Sequence, residues 1–321
     1  MRAVTGRVLA ALVVVVAAGY LLQVDDSVAL HPASVMAPAV IQPPILVAQA
    51  DAGGREWRQD KSRVVPLGYR TLMFPILMYH YIRTPPSPLT DRLGYNLSIA
   101  PRDFQAQMDW LLYHGYHPVD FNDIRAYFAG KTPLPARPVV ITLDDGYADL
   151  YTAAYPILRA HEFKAVAYIV SGFVGRSRYV TQAQIVEMDR HGIEIGAHTV
   201  DHADLARASQ GQLMFQIVQS KHWLEQLVGH PVIDFAYPSG RFSAAAIAAL
   251  EQTGYSTAVT ELWSTIHSLD DRYVWTRIRV SGGENLTLFV KNLGPTMPTV
   301  VVTTINVPAE LMNPDTSRPG Y

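Results

Sequence analysis

Between residues 72 and 259 the sequence alternates short apolar runs with stretches of helical periodicity, and that alternation confines the chain to a parallel α/β architecture. The first run, Phe74-Pro75-Ile76-Leu77-Met78-Tyr79-His80, reads as a strand whose proline sits near the start, where a missing N–H is tolerated. Behind Pro101, Phe104, Met108, Leu111 and Leu112 fall on one helical face. A short segment over 117–120 leads into a helix over 122–128, and strands are expected over 138–143, 164–171, 193–197, 232–237 and 256–259. The helices between them are marked by the apolar face Leu150, Ala154, Ile157 and Leu158, by Thr181, Ser209 and Ser243 as N-caps, and by Gly254 closing the last. More than six such units favour a closed or nearly closed (β/α) barrel over an open doubly wound sheet. No G-x-G-x-x-G follows the first strand and no complete G-x-x-x-x-G-K-[ST] occurs, so nucleotide binding has no support.

Within this frame one strand ends in chemistry. The β-branched run Val139-Val140-Ile141-Thr142-Leu143 is followed by Asp144-Asp145-Gly146. Gly146 permits a sharp turn, which leaves two carboxylates at the C-terminal mouth where α/β folds build their sites. Adjacent acids repel unless a cation separates their roles. A second polar element, His198-Thr199-Val200-Asp201-His202, directly follows the strand over 193–197. Two imidazoles four apart are expected to meet on one side of a helical turn, and with a carboxylate from another strand end they form a two-His, one-acid site with open positions.

Composition narrows the remaining classes. The 321 residues are 49% hydrophobic and 17% charged, which suits one large domain with appendages. The formal net charge of −2 gives no footprint for nucleic acid or for a polybasic membrane surface. Without cysteine there is no disulfide, zinc–thiolate site, Cys nucleophile or lipoprotein anchor. Arg2 and Arg7 precede an apolar run over residues 8–22 and a polar break at Gln23, Asp25 and Asp26, as in a secretory signal. The expected organisation is a signal peptide or membrane anchor at 1–29, a Pro- and Ala-rich linker at 30–71, a catalytic domain at 72–293 and a tail at 294–321, within which 300–307 reads as a strand. The protein is expected to be exported to the periplasm, cell surface or medium, with membrane attachment through its N-terminal segment if the signal is retained.

Thr142-Leu143-Asp144-Asp145-Gly146 resembles the T-F-D-D-G motif of the polysaccharide deacetylases, the NodB-homology proteins of carbohydrate esterase family 4, and His198-Thr199-Val200-Asp201-His202 matches their H-[ST]-x-x-H. The resemblance implies a distorted (β/α) barrel with a divalent metal held by Asp145, His198 and His202. Zinc is the first expectation, and cobalt, nickel or iron suit the same ligands. Asp144 would be the general base for a water activated by that metal. The segment ending at His80 resembles V-L-x-Y-H of the poly-N-acetylglucosamine deacetylases, whose motifs are permuted, and implies His80 as the general acid. His267, in Thr265-Ile266-His267, is the rival, a loose echo of the L-x-H of unpermuted relatives; His80 is favoured because it ends a strand at the mouth.

Phe235-Ala236-Tyr237-Pro238-Ser239-Gly240 resembles F-x-Y-P-x-G, which implies the backbone N–H of Tyr237 as an oxyanion donor. Most unpermuted relatives carry an arginine where this chain has Ala236. Arg277 resembles a late arginine of the permuted group and is expected to pair with Asp144. Tyr79, Tyr147, Tyr237 and Trp263 are candidates for stacking on sugar rings. The implied activity is metal-dependent removal of N-acetyl groups from an envelope or extracellular N-acetylglucosamine polymer. The alternatives are a glycan-binding barrel that has lost catalysis, suggested by the altered third motif, and an O-acetyl xylan esterase. The absence of H-E-x-x-H argues against a metalloprotease.

Overall fold

A computed structural model describes residues 64–65 and 71–293. The segments expected to be signal or anchor, most of the linker, and the tail with its strand over 300–307 lie outside the described residues. Seven parallel strands form the main sheet: β1 (Ile76–Tyr79), β2 (Pro138–Leu143), β3 (Ala165–Ile169), β4 (Ile193–Ala197), β5 (Asp234–Ala236), β6 (Thr257–Val259) and β7 (Ile278–Arg279). They run in the order β6-β5-β4-β3-β2-β1-β7. Trp275 pairs in parallel with Val259 of β6, and three residues later β7 pairs with Leu77 and Met78 of β1. One segment therefore touches both ends of the sheet, which curls into a distorted barrel as the alternation requires.

The crossover helices form where the caps foresee them. Helix α1 spans Pro101–Tyr113, α2 spans Phe121–Phe128, α3 spans Tyr155–Ala160, α4 spans Gln182–Arg190, α5 spans Gln210–Val228 and α6 spans Ala244–Gln252. Thr181 and Ser209 each make reciprocal capping boxes, with Gln184 and Gln212, and Asp120 does the same for α2 with Asp123. A π-helical turn, Leu150–Ala154, precedes α3. Among the described residues no helix is long and apolar enough to cross a membrane.

Strand side chains alternate between two cores, and the alternation fixes what faces the site. Val139, Ile141 and Leu143 of β2, Ala165, Ala167 and Ile169 of β3, and Ile193, Ile195 and Ala197 of β4 pack outward under the helices. Ile76, Val140, Val166, Tyr168 and Ala236 pack together inside the barrel with Phe74 and Trp275. Counting on by twos past the strand ends, His80, Asp144 and His198 point inward, as does Thr142 below Asp144. Gly196 lies on the inward face opposite Tyr168: a Cβ there would sit 2.5 Å from the Tyr168 ring.

Candidate active site

Asp144 and His198 each sit one step beyond their strands, yet still join the neighbouring ladder. The Asp144 N–H donates to Tyr79 O at 2.9 Å, and the His198 N–H donates to Ile169 O at 3.0 Å. The ladder thus sets the depth of both groups at the mouth. Past Asp144 the chain reverses through two left-handed residues, Asp145 (φ 72°) and Gly146 (φ 74°). Glycine suits position 146, where the left-handed φ strains any larger residue and a Cβ would also lie 3.1 Å from Ile169 Cδ1.

The reversal brings Asp145 to the histidines. Asp145 Oδ1 lies 3.3 Å from His198 Nε2 and 3.4 Å from His202 Nε2. One ligand atom from each of the three falls within 4.8 Å of the other two. His198 Nδ1 lies 2.7 Å from Ala236 O, an atom that can only accept, so Nδ1 carries a proton and, in the neutral ring, Nε2 is left with its lone pair directed to the Asp145 side. Asp145 Oδ1 is buried without a hydrogen-bond partner. A buried carboxylate oxygen without a donor, facing two imidazole nitrogens, fits a divalent cation of the borderline class. Burial alone would raise the Asp145 pKa, but with no cation between them the imidazoles in their protonated form, His198 first, hold it well below the usual carboxylate range.

The histidine pair does not ride on a helical turn. Residues 199–201 form a non-helical turn, with Thr199 (φ 66°) and His202 (φ 64°) left-handed. The imidazoles still converge, with centroids 5.0 Å apart. What holds the turn is Gln216 of α5, whose Oε1 accepts from the Val200 N–H at 2.9 Å and the Asp201 N–H at 3.3 Å, together with Thr199 Oγ1, which accepts from the His202 N–H at 2.9 Å. Gln216 escaped the sequence reading; its trace is a polar residue beside Ile217 on the buried face of α5.

Asp144 has a different set of partners. Arg277 Nη1 and Nη2 donate to Asp144 Oδ1 and Oδ2, both at 2.7 Å, a bidentate pair buried inside the barrel. Arg277 is itself fixed by Thr260 O at 2.9 Å and Thr142 Oγ1 at 3.0 Å. Burial would raise the Asp144 pKa; the guanidinium reverses this and keeps the carboxyl ionised. His80 Nε2 stands 4.0 Å from Asp144 Oδ2. Burial lowers the His80 pKa, only partly offset by Asp144 and Asp145.

Three expectations need correction or sorting. The Tyr237 N–H is not free, because it donates to Val259 O at 3.1 Å under the same ladder rule that places Asp144 and His198. In the following loop Pro238 has no N–H, Gly240 donates to Tyr237 O and Arg241 donates to Pro238 O. The donor left over is Ser239, exposed and left-handed (φ 54°, ψ 24°). His267 lies away from the mouth, on Ile266–Ser268 paired with Thr71–Met73, its ring 4.6 Å from Phe74 and 5.9 Å from Trp275. Tyr79 and Tyr237 are buried and cannot stack on a sugar, whereas Tyr147 is half-buried beside Asp145 and Trp263 is exposed.

With the geometry in hand, comparison with known proteins places the chain. A family model for polysaccharide deacetylase matches residues 131–258. The Bacillus subtilis protein YxkH, named for the same family, is 31% identical over 209 residues, covering 65% of this chain and 72% of that protein. The poly-β-1,6-N-acetyl-D-glucosamine N-deacetylase of Escherichia coli K12 is 27% identical over 207 residues, 51% of this chain but only 31% of that larger protein. Among solved structures, the Streptococcus pyogenes deacetylase PplD in complex with acetate superposes with a TM-score of 0.64 at 29% identity, over 70% of this chain and 99% of that one. The barrel, the paired acids and histidines at its mouth, and these matches together establish that the chain belongs to the polysaccharide deacetylase family.

Proposed function

We propose that this protein hydrolyses N-acetyl groups on an N-acetylglucosamine polymer outside the cytoplasm, using a divalent metal held by Asp145, His198 and His202. The observation that carries the reading is the division of labour between the two acids: Asp145 keeps a buried oxygen free beside two imidazoles, while Asp144 is saturated by Arg277 and faces His80. When bound, the metal lowers the pKa of water and polarises the amide carbonyl. Asp144, ionised and fixed by Arg277, takes the proton from the attacking water. His80 protonates the departing amine; burial lowers its pKa and makes its conjugate acid correspondingly strong. The free N–H of Ser239 is the candidate donor to the oxyanion that forms as water adds to the carbonyl. The C–N bond breaks, acetate leaves, and the sugar keeps a primary amine. The N-terminal basic and apolar segment supports export, and the name of the Escherichia coli relative supports the glycan class.

The test is acetate release from β-1,6- and β-1,4-linked N-acetylglucosamine oligomers, with metal content measured on the same samples. Chelation should stop release and zinc or cobalt should restore it. Asp144→Asn should lower the rate by roughly 10³-fold with metal still bound, and His80→Ala by roughly 10²-fold, while His267→Ala changes the rate little. Release that persists in Asp144→Asn, or that fails only in His267→Ala, would overturn the assigned roles.

A further inference from the structure

The mouth has two unlike sides. Near β5 and β7 the rim arginines are neutralised: Arg241 pairs with Asp204 at 2.7 Å, and Arg279 pairs with Glu261. Over β1, β2 and β3 they are not. Arg83 lies 3.5 Å from the centroid of the Tyr81 ring, pinned by Ser98 Oγ at 3.1 Å. Tyr81 stacks on Tyr147 at 3.7 Å and 19°, and Tyr147 stacks on Tyr179 at 5.2 Å and 29°. Phe173 follows at 5.0 Å, and Arg176 lies 4.8 Å from the Phe173 ring. Four rings thus form one continuous row with a guanidinium at each end.

The backbone holds this row. Tyr147 and Tyr179 face each other across an antiparallel bridge, with the Ala148 N–H on Arg178 O at 2.8 Å and the Val180 N–H on Gly146 O at 3.0 Å. Tyr147 is two residues from Asp145, so the row passes beside the place where the acetyl group must sit. The loop over 170–181 carries Arg176 and Arg178 and no acid. Among the described residues no ion pair engages Arg83, Arg176 or Arg178. Asp149 feels the charge of Arg83 without pairing with it.

We propose that this row is a docking strip for acidic groups, and that the natural substrate is an N-acetylated glycan carrying a carboxylate or phosphate on sugars flanking the one deacetylated. The inference rests on the deacetylase reading above and narrows it. A guanidinium held over a ring is already partly ordered and can offer its fork to a planar carboxylate or to a phosphate. Tyr147 is stacked between Tyr81 and Tyr179, so the row presents ring edges rather than an open stacking platform. Unpaired arginines also repel the ammonium groups that deacetylation creates, which favours release of product.

The experiment compares an N-acetylglucosamine oligomer with two otherwise equal oligomers, one bearing a carboxylate and one a phosphate on a flanking sugar. Turnover is followed with the wild-type protein, and binding with Asp144→Asn. At low salt the acidic oligomers should be favoured by roughly ten-fold in kcat/KM and in Kd, and the preference should shrink as salt rises. In the Arg83→Gln/Arg176→Gln double variant the acidic-to-neutral ratio should fall towards one. A preference for only one of the two acidic oligomers identifies the acid; equal handling of all three, or a ratio unmoved in the double variant, overturns the proposal. Turnover of the neutral oligomer without any acidic preference sinks this inference alone. Lack of turnover on every oligomer sinks the deacetylase reading, and the Kd ratio then still decides whether the strip selects acids.

Discussion

The two ends of the barrel carry similar residues to opposite effect. At the base, Glu194 and Asp234 stand at the starts of β4 and β5 and are as deeply placed as the acids of the mouth. Arg125 of α2 joins them, pairing with Asp234 and lying 3.0 Å from Glu194 Oε1. The Phe121 N–H adds a bond to Glu194 Oε2 at 2.9 Å, Asn122 Nδ2 one to Glu194 Oε1 at 2.7 Å, and Thr257 donates to Asp234. Neither base acid has an oxygen left buried without a partner, whereas Asp145 at the mouth does. The backbone differs as well. Among the described residues seven non-glycine residues have positive φ, and five of them lie in mouth loops: Asp145, Arg178, Thr199, His202 and Ser239. Conformations of that kind cost about 1 kcal/mol or more each and persist where surrounding contacts over-determine them. The base is built for satisfied charge, the mouth for an incomplete site.

The sharpest way to break this contrast is to remove one acid from each end. Asp145→Asn should lower acetate release by roughly 10³-fold or more, because it takes away a ligand of the proposed cation. Asn tolerates a left-handed backbone but gives up the attraction of the imidazoles that favours the ionised Asp145, so the metal-free protein should lose no more than about 2 kcal/mol of stability by urea midpoint. Arg125→Met at the base should do the reverse. It leaves Asp234 and Glu194 without their shared cation, when burial and Asp234 already push the Glu194 pKa well up, and should cost about 3–5 kcal/mol of unfolding free energy while acetate release per folded molecule stays close to wild type. If Asp145→Asn unfolds the domain, or Arg125→Met leaves stability intact, the division between the ends is wrong.

Much of this division could be read from the sequence, for a physical reason. Period-two alternation in β2 and β4 continues one step past each strand, so a residue following the apolar run is committed to a face before any tertiary contact is known. That is why Asp144 and His198 stand where the motifs put them. The same rule, applied to the strand expected over 232–237, would have warned that the Tyr237 N–H belongs to the ladder. Less legible were interactions set by loops and by distance along the chain. The turn over 199–201 depends on Gln216, and the aromatic row depends on a bridge between Tyr147 and Tyr179; neither leaves a periodic trace. Arg277 was legible only through resemblance, since its guanidinium reaches Asp144 from a segment 133 residues away.

The two rival histidines supply the finest version of the comparison. His80 faces Asp144 at the mouth, whereas His267 is enclosed by Phe74 and Trp275. Burial drives the His267 pKa down from its ordinary 6.5 to about 4, with Asp271 offsetting it only in part. Above pH 6.5 the ring is neutral in both native and unfolded chains and contributes no pH dependence. As pH falls from 6.5 to 4 the unfolded chain takes up the proton and the native one refuses it, so the unfolded state binds more protons and stability declines. At 1.36 kcal/mol per pKa unit the decline approaches about 3 kcal/mol near pH 4 and then levels off. His267→Leu should remove that increment, leaving a shallower fall in urea midpoint between pH 6.5 and 4 and an unchanged rate of acetate release. An unchanged slope would mean that His267 takes up its proton in the native protein, and would place it closer to water than the Phe74 and Trp275 rings allow.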